Sequence, residues 1–137
     1  MKRPSCFQLT DELFRATFSK LKNARAFFEA HLPSELVVEF DWENLTLVPG
    51  TFVPSDSDVP ESDLLFSVTM DGKLIFLYLL FDHEGSTDGR LKLRLLSRIV
   101  SIWRDYDSKN PYPAELPMVF PVVLDQNRSC WKALMRS

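Results

Sequence analysis

Three carboxylates, those of Asp63, Asp82 and Glu84, stand at the ends of two apolar segments near the middle of the sequence. Carboxylates grouped in this way can share a divalent cation, because Mg²⁺ prefers hard oxygen ligands. They can equally be ordinary acids in water at the ends of strands. The residue types leave both interpretations open, so the choice depends on whether the fold brings the side chains together.

The two apolar segments are predicted to form a β-hairpin. Residues 62–70 and 73–82 are separated only by Asp71-Gly72. A two-residue Asp-Gly between apolar runs is the strongest local signal for a tight hairpin turn. The turn therefore fixes the register of the two strands.

That register determines where the carboxylates lie. It places Asp63 opposite Leu80, and directly opposed residues point to the same face of a sheet. Because side chains alternate along a strand, Asp82 and Glu84 are predicted to share this face. Asp82 becomes the diagonal neighbour of Asp63, at a Cβ separation of roughly 7–8 Å or somewhat less. Two carboxylates can close that gap around one cation.

The segment 74–81 is apolar at every position, which is typical of a central strand covered by helices on both faces. An α/β core is therefore expected. Periodicity and turn residues predict the other elements: a helix from Thr10 to His31 with a break at Lys22-Asn23, extended pieces at 36–40 and 46–48, a helix from 89 to about 106, and a strand at 117–124 whose Pro121 implies an edge or a bulge.

A column of arginines is expected on the second helix. Arg90, Arg94 and Arg98 recur at intervals of four and should stand one above the other on an exposed face. Arg binds phosphate bidentately, so the column could contact the backbone of a nucleic acid. The alternative is a solvated face balanced by neighbouring acids.

Composition limits the other possibilities. With 137 residues the chain is expected to form one domain over 1–137, with its core at about 10–124 and a tail at 125–137. A net charge of −3 argues against nonspecific coating of nucleic acid, although a local basic patch remains compatible with it. Cys6 and Cys130 lack zinc-ligand spacing, and no apolar run is long enough for a membrane span. A cytoplasmic protein is expected.

The order of elements and acids resembles the PD-(D/E)XK nuclease core, and more closely the recombination-promoting nuclease or YhgA-like transposase family. The residues that carry the resemblance are Thr10 to Arg15, Phe28 to Pro33, Leu45 to Gly50, Glu61 to Leu65, Leu79 to Glu84, Arg94 to Leu96, Ile102-Trp103 and Pro121 to Leu124.

The resemblance implies an αβββαβ fold and a metal-dependent DNA endonuclease. Asp63 and Asp82 would be the ligands of Mg²⁺ or Mn²⁺, with the His83 backbone carbonyl as a further ligand. Glu84 would orient or deprotonate the attacking water. DNA is the expected partner, and a homodimer would suit the cutting of two strands.

The chain departs from the family pattern at two places. It has Asp82-His83-Glu84 where the family usually shows Glu-His-Gln, and it has Arg98 where an aromatic residue is often found. These departures motivate an alternative, a catalytically inactive remnant of the fold that acts as a DNA-binding or protein-interaction module.

Overall fold

The computed structural model describes residues 11–49, 62–82, 89–111 and 115–125. Four helices and four strands follow one another along these segments. They are α1 (Asp11–Phe18), α2 (Leu21–His31), α3 (Ser34–Val37), β1 (Phe40–Leu47), β2 (Ser62–Met70), β3 (Lys73–Asp82), α4 (Gly89–Lys109) and β4 (Met118–Asp125).

The strands form one mixed sheet in the order β1-β2-β3-β4. β1, β2 and β3 are successively antiparallel, whereas β4 runs parallel to β3. A parallel neighbour requires a long crossover, and α4 lies in that connection. The predicted hairpin register is confirmed, since Asp63 pairs with Leu80. Asp71 and Gly72 have φ values of 54° and 77°, as a tight hairpin turn of the mirror-image type demands.

Both faces of the sheet are covered, which confirms the reading of β3 as a central strand. On one face, β3 contributes Ile75, Leu77, Leu79 and Phe81 to a core that includes phenylalanines of α1 and α2. On the other face, Tyr78 and Leu80 belong to a second core that contains Ile102 of α4. The molecule is thus an α/β protein in which helices flank a four-stranded mixed sheet.

The N-terminal half differs from its predicted outline. The expected break is present, but α2 begins after Lys20, and the Asn23 side chain donates a hydrogen bond to the Thr17 carbonyl at 2.8 Å. The prediction that the segment 36–40 is extended is wrong up to Glu39: Leu36 and Val37 end α3, Val38 and Glu39 form a turn, and only Phe40 belongs to a strand. Pro33 stands at the N-cap of α3, and its fixed φ suits a helix start.

β1 is longer than the predicted extended piece at 46–48. Its pairing with β2 is irregular between Asp41 and Thr46, where four strand residues stand opposite one. Trp42 and Leu45 are both buried, three positions apart. This bulge destroys the simple alternation on which strand prediction depends.

The C-terminal elements agree with expectation. α4 begins at Gly89 and extends three residues beyond Tyr106, and β4 contains Pro121. β4 is an edge strand, so the missing N–H of proline removes no central ladder bond. No helix within the described ranges has the length and apolar character needed to cross a membrane. The predicted tail beyond Asp125 lies outside the described residues.

Candidate functional site

Asp63 lies at the start of β2 and is the best-defined acid of the predicted site. Its relative exposure is only 6%. The Tyr78 hydroxyl, on the neighbouring strand, donates a hydrogen bond to Asp63 Oδ2 at 2.8 Å. Tyr78 pairs with Leu65, two residues after Asp63, so it is a diagonal neighbour on the same face. The carboxylate is therefore fixed by a buried hydroxyl within the sheet.

A guanidinium from α4 approaches the same carboxylate oxygen. Arg98 Nη1 lies 3.7 Å from Asp63 Oδ2, and both side chains are 5% exposed. The sheet face that carries Asp63 is the one covered by α4, as the packing of Ile102 against Leu80 and Tyr78 shows. Asp63 thus has a cation within ion-pairing distance without any metal.

Because both groups are buried, loss of either one would be costly for the stability of the fold. A carboxylate and a guanidinium each lose solvation inside the protein, and their mutual attraction offsets part of that loss. Removing one partner would leave the other charge in a medium of low polarity. The Asp63–Arg98 pair therefore ties α4 to the start of β2, which is the corner where the predicted site lies.

The expectation that the arginine column is exposed is wrong at Arg98. This residue is only 4% exposed. It follows Leu95 by three residues and precedes Ile102 by four, so it belongs to the stripe that α4 turns toward the sheet. Arg94 is half-buried, and the side chain of Arg90 lies outside the described set. Whether these arginines bind DNA stays a prediction.

The other predicted acids are described less completely. Asp82 is the last residue of β3, and its Cα pairs with that of Asp125 in β4. It follows Leu80 by two residues, so its backbone position is the one that the register argument requires. The side chain of Asp82 and all of His83 and Glu84 lie outside the described residues. Convergence of the three carboxylates stays a prediction.

The donor chemistry of the corner suits a hard cation. Asp63 offers a carboxylate oxygen, the ligand type that Mg²⁺ prefers. Within the described segments no group of three or more His, Cys, Asp or Glu side chains could hold a metal ion. The further oxygen donors would have to come from Asp82, His83 and Glu84. Any cation at Asp63 would also meet the nearby Arg98.

The contact of Tyr78 with Asp63 and the pairing of Arg98 with Asp63 are not predicted from the sequence, although both left signals. The hairpin register gives Asp63 two diagonal neighbours, of which Asp82 is one. The other is Tyr78, whose hydroxyl needs a partner once the ring is buried. Arg98 lies within the apolar stripe of α4 at helical spacing, and a cation in such a stripe calls for a buried anion.

Comparison with known proteins agrees with the resemblance read from the sequence. The model of the family described as "Putative transposase, YhgA-like" matches residues 8–136. Recombination-promoting nuclease RpnC of Escherichia coli K12 is 27% identical over 129 residues, which cover 88% of this chain and 42% of the relative. RpnD of Escherichia coli O157:H7 is 28% identical over 113 residues, covering 80% of this chain and 44% of the relative.

Another relative is named as inactive. The inactive recombination-promoting nuclease-like protein RpnE of Escherichia coli K12 is 27% identical over 113 residues, covering 80% of this chain and 38% of the relative. The chain therefore spans less than half the length of these three relatives. No solved structure matches it significantly.

Proposed function

Since the chain belongs to the YhgA-like transposase family, which includes recombination-promoting nucleases, we propose that it is a metal-dependent DNA endonuclease domain that hydrolyses phosphodiester bonds. The observation that carries this proposal is the fixed carboxylate of Asp63 at the corner where β3 ends in Asp82. A metal-assisted hydrolase needs carboxylates that hold its cation, and Asp63 would supply one of them near the strand end at Asp82.

The proposed fold is the PD-(D/E)XK core. The described elements support it through their order, in which helices precede three antiparallel strands and α4 leads to a parallel fourth strand. α3 and the bulge in β1 are additions to the simple αβββαβ order. In such a core, Asp63 and the segment Asp82 to Glu84 would stand at the strand ends that carry the acids.

Each residue of the corner has a proposed role. Asp63 and Asp82 would hold Mg²⁺ or Mn²⁺, with the His83 backbone carbonyl as a further ligand. Such a cation supplies Lewis-acid chemistry, polarising the phosphoryl oxygen and lowering the pKa of water. Tyr78 holds Asp63 Oδ2 in place, and Glu84 would orient the attacking water and accept its proton.

DNA is the proposed substrate, and its backbone would be contacted by α4. Arg90 and Arg94 precede Arg98 on that helix by two turns and one turn. They would contact phosphates on either side of the cleaved bond, because guanidinium groups bind phosphate in a bidentate manner. Arg98 is assigned instead to Asp63. A homodimer, with one site for each strand, is part of the proposal.

A second candidate is a catalytically inactive module of the same fold that binds DNA or protein. The specific observation in its favour is that Arg98 already places a positive charge 3.7 Å from Asp63 Oδ2. A protein cation in that position lowers the need for a metal. The existence of a relative named as inactive is compatible with this candidate.

The discriminating experiment is incubation of the purified protein with supercoiled plasmid and Mg²⁺ or Mn²⁺. The endonuclease proposal predicts nicked and linear DNA, with loss of activity on chelation and in the variants Asp63→Asn and Asp82→Asn. Glu43→Gln is the matched control, because Glu43 is an exposed acid on β1. Circular dichroism establishes that each variant is folded. Absence of cleavage by the folded wild-type protein with either metal would favour the inactive module.

A further inference from the structure

Arg98 and the proposed metal compete for one carboxylate. Asp63 Oδ2 accepts the Tyr78 hydroxyl at 2.8 Å and lies 3.7 Å from Arg98 Nη1. Asp63 and Arg98 are 6% and 4% exposed, respectively. Little water is therefore in contact with these two side chains to screen an additional charge beside them.

A guanidinium keeps its positive charge at all ordinary pH values, so Arg98 cannot relieve a repulsion by losing a proton. A divalent cation held by Asp63 would be a like charge at close range. A charge within about 4–6 Å of an ionisable group changes its proton-binding equilibrium by about tenfold to a thousandfold, and an effect in the same direction is expected on the binding of a cation. The Arg98 guanidinium and a divalent cation therefore cannot both lie beside Asp63 Oδ2.

Building on the proposed metal site, we infer that Arg98 is the internal counter-ion of Asp63 in the metal-free protein and that a divalent cation binds by displacing its guanidinium from Oδ2. The ion pair and the metal complex are two alternative states of the same carboxylate. Arg98 then sets the affinity of the site for metal.

Arg98 can leave Asp63 by a movement of its side chain alone. The side chain is long and unbranched, and it begins on the α4 face that packs against the sheet. Rotation about its own bonds can move the guanidinium without moving α4. Tyr78, a neutral donor on the same oxygen, can remain bound in both states.

The test is calorimetric titration of Mn²⁺ into three proteins: the wild type, Arg98→Met and Arg104→Met. Methionine preserves the apolar stem of arginine without its charge. Arg104 is an exposed arginine on the same helix, so its variant controls for the loss of one positive charge. We expect Arg98→Met to bind Mn²⁺ at least about tenfold more tightly than the wild type. Arg104→Met should match the wild type within about twofold, because exposed charges are screened.

The outcomes separate this inference from the proposed metal site. Equal or weaker Mn²⁺ binding by folded Arg98→Met would overturn the displacement, whereas the metal site itself would stand. No Mn²⁺ binding by any folded variant would overturn the metal site and the displacement together. Mn²⁺ binding by Arg98→Met alone would support the displacement, and it would show that Arg98 keeps the metal from Asp63 in the wild-type protein.

A second measurement on the wild-type protein keeps the inference testable if Arg98→Met does not fold. The Nε–H group of Arg98 gives an NMR signal that Arg98→Lys identifies by its disappearance. Displacement predicts that diamagnetic Mg²⁺ shifts this signal in the wild type and leaves it unshifted in Asp63→Asn. An unchanged signal while metal saturates the site would refute the exchange.

Discussion

The Asp63–Arg98 pair should be strongly coupled in the stability of the metal-free protein. The two charged atoms are 3.7 Å apart and both side chains are 5% exposed. At an effective dielectric constant of about 20, that separation corresponds to an attraction of about 4.5 kcal/mol. Desolvation of both groups offsets much of this attraction, so the net stabilisation by the intact pair is far smaller.

Breaking the pair from one side removes the attraction and leaves the desolvation cost. Asp63→Asn retains an oxygen for the Tyr78 hydroxyl but removes the negative charge that lies beside Arg98. Arg98→Met deprives Asp63 of its guanidinium. Each change should lower the free energy of unfolding by about 3–5 kcal/mol. The double variant contains neither charge and should cost no more than the larger single change.

Urea unfolding in the presence of a chelator measures this double-mutant cycle. Because the double variant should cost no more than the larger single change, the coupling free energy between the two sites should be at least about 3 kcal/mol. The exposed pair Arg25–Glu29 is the control: its atoms are closer, at 3.0 Å, but its side chains are 47% and 38% exposed. That pair should show a coupling of only about 0.3–0.5 kcal/mol. Additive effects at Asp63 and Arg98, within about 0.5 kcal/mol, would refute the buried-pair reasoning.

Two further predictions concern Tyr78 and the arginines of α4. Tyr78→Phe should lower the free energy of unfolding by about 1.5–3 kcal/mol, because the hydroxyl donates to a buried carboxylate; a cost below about 0.5 kcal/mol in urea unfolding would contradict this. Replacing both Arg90 and Arg94 with Gln should weaken the binding of duplex DNA equally for unrelated sequences. The slope of log affinity against log salt concentration should fall by up to about two, since each phosphate contact contributes about 0.9. An unchanged slope would exclude these arginines from the DNA interface.

The hairpin and its register were predictable because they depend on local chemistry. The Asp-Gly turn specifies two residues of positive φ, and a two-residue turn sets which positions of the two strands face one another. The unbroken apolar run of β3 likewise predicted coverage on both faces. β1 was not predictable in the same way, because its bulge between Asp41 and Thr46 interrupts alternation.

The candidate site was predictable only in part, since its charges come from elements distant in sequence. Asp63 could be placed by register, but its partnership with Arg98 depends on how α4 is rotated about its own axis. Two helical patterns in the sequence of α4 include Arg98. In one, a spacing of four residues aligns it with Arg90 and Arg94. In the other, it lies three residues after Leu95 and four before Ile102, within the apolar stripe. Burial against the sheet decided between these patterns, and that is a tertiary effect.

The most direct test of the proposed endonuclease site is the anomalous scattering of Mn²⁺ in crystals of the wild-type protein. The proposal predicts one or two Mn²⁺ ions in contact with the carboxylates of both Asp63 and Asp82, with the Arg98 guanidinium moved away from Asp63 Oδ2. Crystals soaked at saturating Mn²⁺ in which Asp63 remains paired with Arg98 and no manganese lies between the two acids would contradict it.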